Sequence, residues 1–257
     1  VVEFVTTHAG AKLQGFGYLT EGRPGHDLPS TLMAKLENTF RICLSDGGGV
    51  DDGEILADTF RLVFPDLGLL ENHSPLAQAM LMGFVPGGEK VDLKAYFNTR
   101  LGGTNHEELV QSLLERLNLD GEGFYGRLYA SQTQARFVGV GVDLHGDATR
   151  RAKLYVRVPR TELMAALENL CAGQTHLNIE DIKREAALLI DTAQCKELSD
   201  EVEIAISLRS DSPPTVKLTV FFTSDEMSAE PEQCVMRYLE SKGYDSAVFT
   251  TLFDTMK

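Results

Sequence analysis

The stretch Arg150-Arg151-Ala152-Lys153-Leu154-Tyr155-Val156-Arg157-Val158 decides how this chain folds. With a period of two, Ala152, Leu154, Val156 and Val158 fall on one side, and Arg151, Lys153, Tyr155 and Arg157 on the other. Strict alternation of this kind is the signature of a half-buried β-strand. The polar side is not the usual mixture of Thr, Ser and Glu. It is a column of cations with a phenol among them.

The same pattern recurs along the chain. Val91–Asn98 places Lys94 and Tyr96 on one face, against Leu93, Ala95 and Phe97 on the other. Thr215–Phe222 places Lys217, Thr219 and Phe221 opposite Val216, Leu218, Val220 and Phe222. Each of these strands follows another alternating run, through a turn rich in Gly, Pro, Asp or Ser: PGGEK, HGDAT and SDSPP. Such turns between alternating runs predict β-hairpins. In the second of them Val138, Val140 and Val142 oppose Phe137, Gly139, Gly141 and Asp143, and the glycines leave space on the polar side. A weaker fourth copy opens the chain, with Glu3 on its first strand and Lys12, Gln14, Phe16 and Tyr18 on its return strand.

Between the hairpins lie amphipathic helical segments. Residues 29–44 and 51–64 follow the first hairpin. A third, over 105–119, is capped at Asn105, a fourth is capped at Thr161, and a fifth is capped at Asn178. The last carries Pro231 early and Gly243 late. The unit is helix, strand, strand, helix, repeated. The predicted fold is α+β: an antiparallel β-barrel of repeated α-β-β-α units, with helices outside and a polar lumen. Residues 1–257 are read as one domain that is incomplete at one or both ends.

The chain of 257 residues has 43% hydrophobic and 24% charged residues, enough to bury a core without disulfides. Its formal net charge of −14 argues against nucleic acid and against an anionic membrane surface. Cys43, Cys171, Cys195 and Cys234 are dispersed and form no CxxC, as expected of reduced thiols in the cytoplasm. No membrane-spanning run or signal peptide is visible. Within so acidic a chain, Lys94, Arg151, Lys153 and Lys217 converging on one lumen call for a polyanion, and a diphosphate fits. Tyr96 and Tyr155, two residues along, can hydrogen-bond phosphate oxygens and shield a carbocation with their rings.

These residues resemble those of the aromatic prenyltransferases with the ABBA barrel, and more narrowly the dimethylallyltryptophan synthase group of indole prenyltransferases. LKAYFN and RAKLYVR are similar to that family's diphosphate-binding strands, and GVGVDL to the strand before the latter. The resemblance implies that Lys94, Tyr96, Arg151, Lys153 and Tyr155 bind a prenyl diphosphate. It implies that Lys217 stands at a polar phosphate contact, often Gln in the family. Thr219 stands where a shielding Tyr is common. Glu3 falls at the acid that takes the indole proton, and Gln14 or Lys12 falls near a first-hairpin Arg. The family's fifth hairpin, with further Tyr residues, has no counterpart in this sequence.

The implied reaction is transfer of a dimethylallyl group from dimethylallyl diphosphate to an indole, tryptophan or a derivative, by Friedel–Crafts alkylation. Lys and Arg take the place of a metal, so no cofactor is expected. Asp51 and Asp52 lie at a helix start without a D-D-x-x-D continuation, and are read as structural. Asp143, His145 and Asp147 are read as a polar turn. Two alternatives stay open: a phenolic or other aromatic acceptor, and a non-catalytic barrel that binds a phosphorylated small molecule. An acid facing the cations, Glu3, would favour catalysis.

Overall fold

The computed structural model describes residues 2–9, 12–20, 50–66, 79–87, 90–102, 105–119, 134–144, 150–172, 178–192, 198–222 and 229–245, with single positions 34, 37, 41, 68, 127, 247, 250 and 251. Eight strands form one antiparallel sheet: β1 (Val2–Ala9), β2 (Lys12–Thr20), β3 (Met80–Gly87), β4 (Lys90–Phe97), β5 (Arg136–Leu144), β6 (Arg151–Pro159), β7 (Leu198–Arg209) and β8 (Thr215–Phe222). They lie side by side in chain order, each paired with the next. All four predicted hairpins are present. The sheet runs from β1 to β8 without a β8–β1 pair among the described residues, so the closed barrel of the sequence reading is not reproduced.

The aliphatic faces behave as the alternation requires. Ala152, Leu154, Val156 and Val158 of β6 are all 2% exposed or less, as are Val202, Ile204, Ile206 and Leu208 of β7. Burying each large aliphatic chain contributes about 1.5–3 kcal/mol relative to exposure. Helices cover this face: α1 (Val50–Val63), α2 (His106–Leu117), α3 (Leu163–Cys171) and α4 (Ile179–Thr192), followed by α5 (Ala229–Ser241), which packs on α4. α1 inserts Ile55, Leu56, Phe60 and Val63. α2 inserts Leu109, Val110, Leu113 and Leu117, and α3 inserts Leu163, Leu167 and Leu170.

The helix ends are partly as expected. Asn105 caps α2, its side chain accepting from Glu107 N at 3.0 Å. Asn178 accepts from Asp181 N at the start of α4. Gly243, at φ +67°, closes α5 with Tyr244 N donating to Leu239 O. Asp51 and Asp52 lie in the first turn of α1, the helix start that the sequence reading expects. Thr161 does not cap α3: it lies inside a 3₁₀ turn, Arg160–Glu162, that feeds the helix without a side-chain cap. The predicted helix over 29–44 lies outside the described residues, apart from helical positions 34, 37 and 41.

A second correction concerns β5. Phe137 pairs with Val156 and Gly139 with Tyr155, so Val138 has no partner and a bulge resets the alternation. Phe137 therefore faces the helices, 2% exposed, and does not share the face of Gly139 and Gly141.

Candidate functional site

The polar face of β6 is the axis of the site. Register sets its neighbours, because residues directly across an antiparallel pair share a face. Lys153 lies between Gly141 of β5 and Ser207 of β7, and Gly141 is in turn opposite Tyr96 of β4. Tyr155 lies between Gly139 and Ala205, and Ala205 is opposite Lys217. The central cation and the central ring thus have small residues on both sides, which hollows the sheet under them. Arg151 pairs with Asp143, which is opposite Lys94. Lys94, Tyr96, Arg151, Lys153, Tyr155 and Lys217 are therefore brought to one face of the sheet by the return strands β4, β6 and β8 of three successive hairpins.

Gly139 and Gly141 are required by this packing. A Cβ on Gly141 would stand 3.0 Å from Tyr96 Cδ1 and 3.4 Å from Tyr155 Cε2; one on Gly139 would meet the Phe97 carbonyl oxygen at 2.9 Å. In the space so kept, the Tyr96 and Tyr155 rings meet with centroids 5.9 Å apart at 60°. Lys153 Nζ stands 5.7 Å from the Tyr96 ring centroid, within cation–π range. An amine over one phenol ring that is itself packed on a second sits where a departing anion and an allylic cation would both need partners.

The electrostatics follow from crowding. Burial holds the Lys153 amine down to about 8; Asp143 pulls it up, and Arg151, Lys94 and Lys217 push it down. The Tyr155 hydroxyl is pushed well above its ordinary value, first by burial, then by Tyr96, Asp143 and Glu203, with a Tyr96 hydrogen bond in the same sense. It therefore stays a donor at neutral pH.

Sequence reading missed the resident counterion. Asp143 is not in a turn but near the end of β5, 3% exposed and ion-paired with Arg151. It occurs in the sequence on the same alternation as the two glycines, and that was the available signal. A buried carboxylate among cations lowers the cost of holding them together without ligand.

A second cluster on the same face was also missed. Two residues beyond Tyr155, Arg157 donates from Nε to Glu203 Oε2 at 3.4 Å and lays its guanidinium 4.6 Å from the Phe221 ring centroid. Burial raises the Glu203 carboxyl, against the opposing effect of Arg157, Lys217 and Arg100.

The first hairpin enters by its backbone. Glu3 is opposite Leu19, Leu19 opposite Gly83, and Gly83 opposite Lys94, so Glu3 belongs to the register row of the cations. Gln14 lies between Leu13 and Gly15, which pair with His8 and Thr7; it is the unopposed residue where the register shifts. Lys12 is opposite Ala9 at the hairpin end. The side chains of these three residues lie outside the described set. Among the described residues no group of three or more His, Cys, Asp or Glu is placed to hold a metal ion, and no helix is long and apolar enough to cross a membrane.

No protein-family model matches the chain, and no curated protein matches it in sequence. Solved structures do. The chain has the fold of the indole prenyltransferases of ABBA type. The prenyltransferase PriB, in a ternary complex with L-tryptophan and dimethylallyl thiolodiphosphate, is similar with TM-score 0.68 at 18% identity, over 97% of this chain and 68% of that one. AnaPT from Neosartorya fischeri gives 0.66 at 14%, over 95% and 66%. The 6-dimethylallyltryptophan synthase from Micromonospora olivasterospora, in complex with DMASPP and Trp, gives 0.64 at 18%, over 95% and 69%.

Proposed function

We propose that the chain is an aromatic prenyltransferase domain that transfers a dimethylallyl group from dimethylallyl diphosphate to an indole acceptor, tryptophan or a derivative. One observation carries this: Lys153 stands over a tyrosine ring, beside a second tyrosine, within a field of three further cations. A phosphate site alone needs the cations. The paired rings next to them answer the other half of the reaction, an allylic cation that must be kept from water. The structural neighbours crystallised with tryptophan and prenyl diphosphate analogues support the assignment.

In this mechanism Lys94, Arg151, Lys153 and Lys217 bind the diphosphate and stabilise it as it leaves with the C–O bonding pair. Tyr96 and Tyr155 donate to phosphate oxygens and present their π faces to the C5 cation. The electron-rich ring carbon attacks, forming the C–C bond, while Glu3, in the register row of Lys94, takes up the indole N–H proton; the ring C–H proton then passes to the released diphosphate, and Glu3 returns its proton to the nitrogen, so that one proton is lost in all. Gln14 adds a polar phosphate contact from β2. Cations do the work that Mg²⁺ does in other prenyl chemistry, so the reaction proceeds without metal. Closure of the sheet into a barrel would complete the water-excluding wall, and the thiols and acidic surface suit the cytoplasm.

The test is a product assay. The protein, dimethylallyl diphosphate and L-tryptophan are incubated with and without EDTA, and the product is sought by mass spectrometry as one added C5H8 unit. A product in both arms is expected. Silence with tryptophan, other indoles, phenols and longer diphosphates alike would sink the assignment and leave an anion-binding protein. A product lost with EDTA would sink the metal-free mechanism.

A further inference from the structure

The three lysines of the polar face differ in the company their amines keep. Lys94 is opposite Asp143 in register, and Lys217 favours the charged form of Glu203, one row away. Lys153 has no acid so placed. Its register row runs from Tyr96 through Gly141, Lys153 and Ser207 to Thr215. The one acid that acts on it, Asp143, lies a row away and is ion-paired with Arg151. Among the described residues no carboxylate reaches the Lys153 amine, which is half-buried near the Tyr96 ring with Lys94, Arg151 and Lys217 around it. Lys183 and Lys242, outside the site, show the ordinary case. They are bonded to Glu168 and Glu185, and each carboxylate holds its amine in the charged form.

An amine without a counterion, packed among cations and withdrawn from water, has a free lone pair at lower pH than an ordinary lysine; burial holds this one down to about 8. That lone pair is the nucleophile of imine chemistry, for which a desolvated lysine beside other cations is suited. The surroundings also choose the electrophile. Lys94 and Arg151 stand on either side of Asp143, one row away and about 7 Å along the strand from Lys153. Two cations and one acid leave a positive excess there, and Arg209, next in the row, is closed by its two bonds to Asp211. A phosphate at that row and a carbonyl carbon at Lys153 call for one molecule that carries both a few bonds apart. The amine adds to the carbonyl carbon, the new C–N bond becomes the imine, and the carbonyl oxygen leaves as water with the two amine protons. No oxidant or reductant is needed.

We propose that Lys153 is a site of reversible covalent modification by phosphorylated aldehydes, which form an imine with its amine while Lys94 and Arg151 hold their phosphate. The adduct occupies the anion site and so blocks any reaction of a diphosphate there. The modification does not depend on the prenyltransferase assignment.

The probe is pyridoxal 5′-phosphate, and pyridoxal, the same aldehyde without the phosphate, is its control. Each is incubated with the full chain, the imine is fixed with borohydride, and the labelled peptide is located by mass spectrometry. Lys153 should carry the label, and pyrophosphate should protect it. Pyridoxal should react about tenfold or more slowly, the loss expected for the phosphate's charge-assisted contacts. Labelling should quicken as pH rises towards about 8, where the amine gives up its proton. Lys153→Arg keeps the charge and should bind pyrophosphate but take no label.

No label on Lys153, a label that falls first on Lys94, Lys217 or surface lysines, equal rates for the two aldehydes, or labelling that pyrophosphate leaves unchanged each overturns the proposal. Prenyl transfer is scored separately. If transfer is absent while Lys153 is labelled, the function assigned above fails and the modification site stands. If transfer is present while Lys153 stays unlabelled, the reverse is true.

Discussion

The two ends of the β6 polar face lie on one strand, yet they are charged differently. At one end Arg151, Lys153, Lys94 and Lys217 surround a single buried acid, Asp143. At the other, Arg157 is matched by Glu203 and seated on Phe221. Cations by themselves do not distinguish the ends, because both have them. The excess does. An unbalanced cluster stores repulsion, visible in a lysine that burial and its neighbours hold down to about 8, and an anion that relieves the repulsion binds strongly. At the other end Glu203 answers Arg157 directly, with Lys217 and Arg100 further off, and burial still raises its carboxyl.

The largest effect should come from the centre of the unbalanced end. Lys153→Ala should lower kcat/KM for prenyl transfer by about 10²–10³, the usual consequence of removing one stabiliser of a developing charge. Thermal stability should hold or improve, since a repelled amine is removed. A Tm drop of the size of a core mutation would show that the cluster is structural.

Asp143→Asn probes the same end from the opposite side. Taking one partner from a buried ion pair costs about 3–5 kcal/mol. The variant should melt markedly earlier without ligand and recover most of the loss with saturating pyrophosphate, which replaces the missing negative charge. Equal melting shifts with and without pyrophosphate would mean that the anion does not enter next to Asp143. Calorimetric or fluorescence melting curves at several ligand concentrations decide this.

The middle of the face is tested by Gly141→Ala. The new methyl meets Tyr96 and Tyr155 ring carbons, which can give a few tenths of an ångström. We expect about 1–3 kcal/mol of destabilisation, with a larger proportional loss of activity than of fold. Gly139→Ala meets a carbonyl oxygen and should do the reverse, damaging the fold first. Denaturant curves alongside steady-state rates separate the two.

The smallest effect is that of pH. Pyrophosphate binds the protonated amine, so affinity should weaken as pH rises through about 8, by up to about tenfold per unit for one proton. Stability of the free protein moves the other way. The folded amine gives up its proton near 8 while the unfolded one keeps it to about 10.4, so the unfolded chain binds more protons in that window and stability rises with pH across it. Lys153→Arg, charged throughout, removes both slopes and serves as the reference for isothermal titration and melting.

Much of this was legible in the sequence because it is periodic. K-x-Y on two return strands and K-x-T on a third marked the hairpins and the buried face and, with Arg151 beside them, the six residues that the structure brings together. Asn105, Asn178 and Gly243 were legible as helix ends from local chemistry alone. What escaped is what alternation cannot encode. The bulge at Val138 adds one residue to one strand and flips Phe137, with no mark in composition. Asp143 stands in the alternation of β5, but its spacing to His145 and Asp147 also reads as a polar turn, and nothing in the pattern marks it as the counterion of Arg151. The Arg157–Glu203 pair joins strands β6 and β7, which only a register can align, and Phe221 comes from a third strand. Thr161 gave way as a cap because the chain enters α3 through a 3₁₀ turn.

The strand order has a consequence for how the molecule comes into being. Every strand is hydrogen-bonded to its neighbour in the chain, with no crossover, so the sheet can grow from one edge by successive addition. Each hairpin closes a short loop, and only the helical links between hairpins demand longer closures, whose entropic cost rises slowly with length. A nascent chain could zip in the order of its synthesis, each finished hairpin serving as the template for the next.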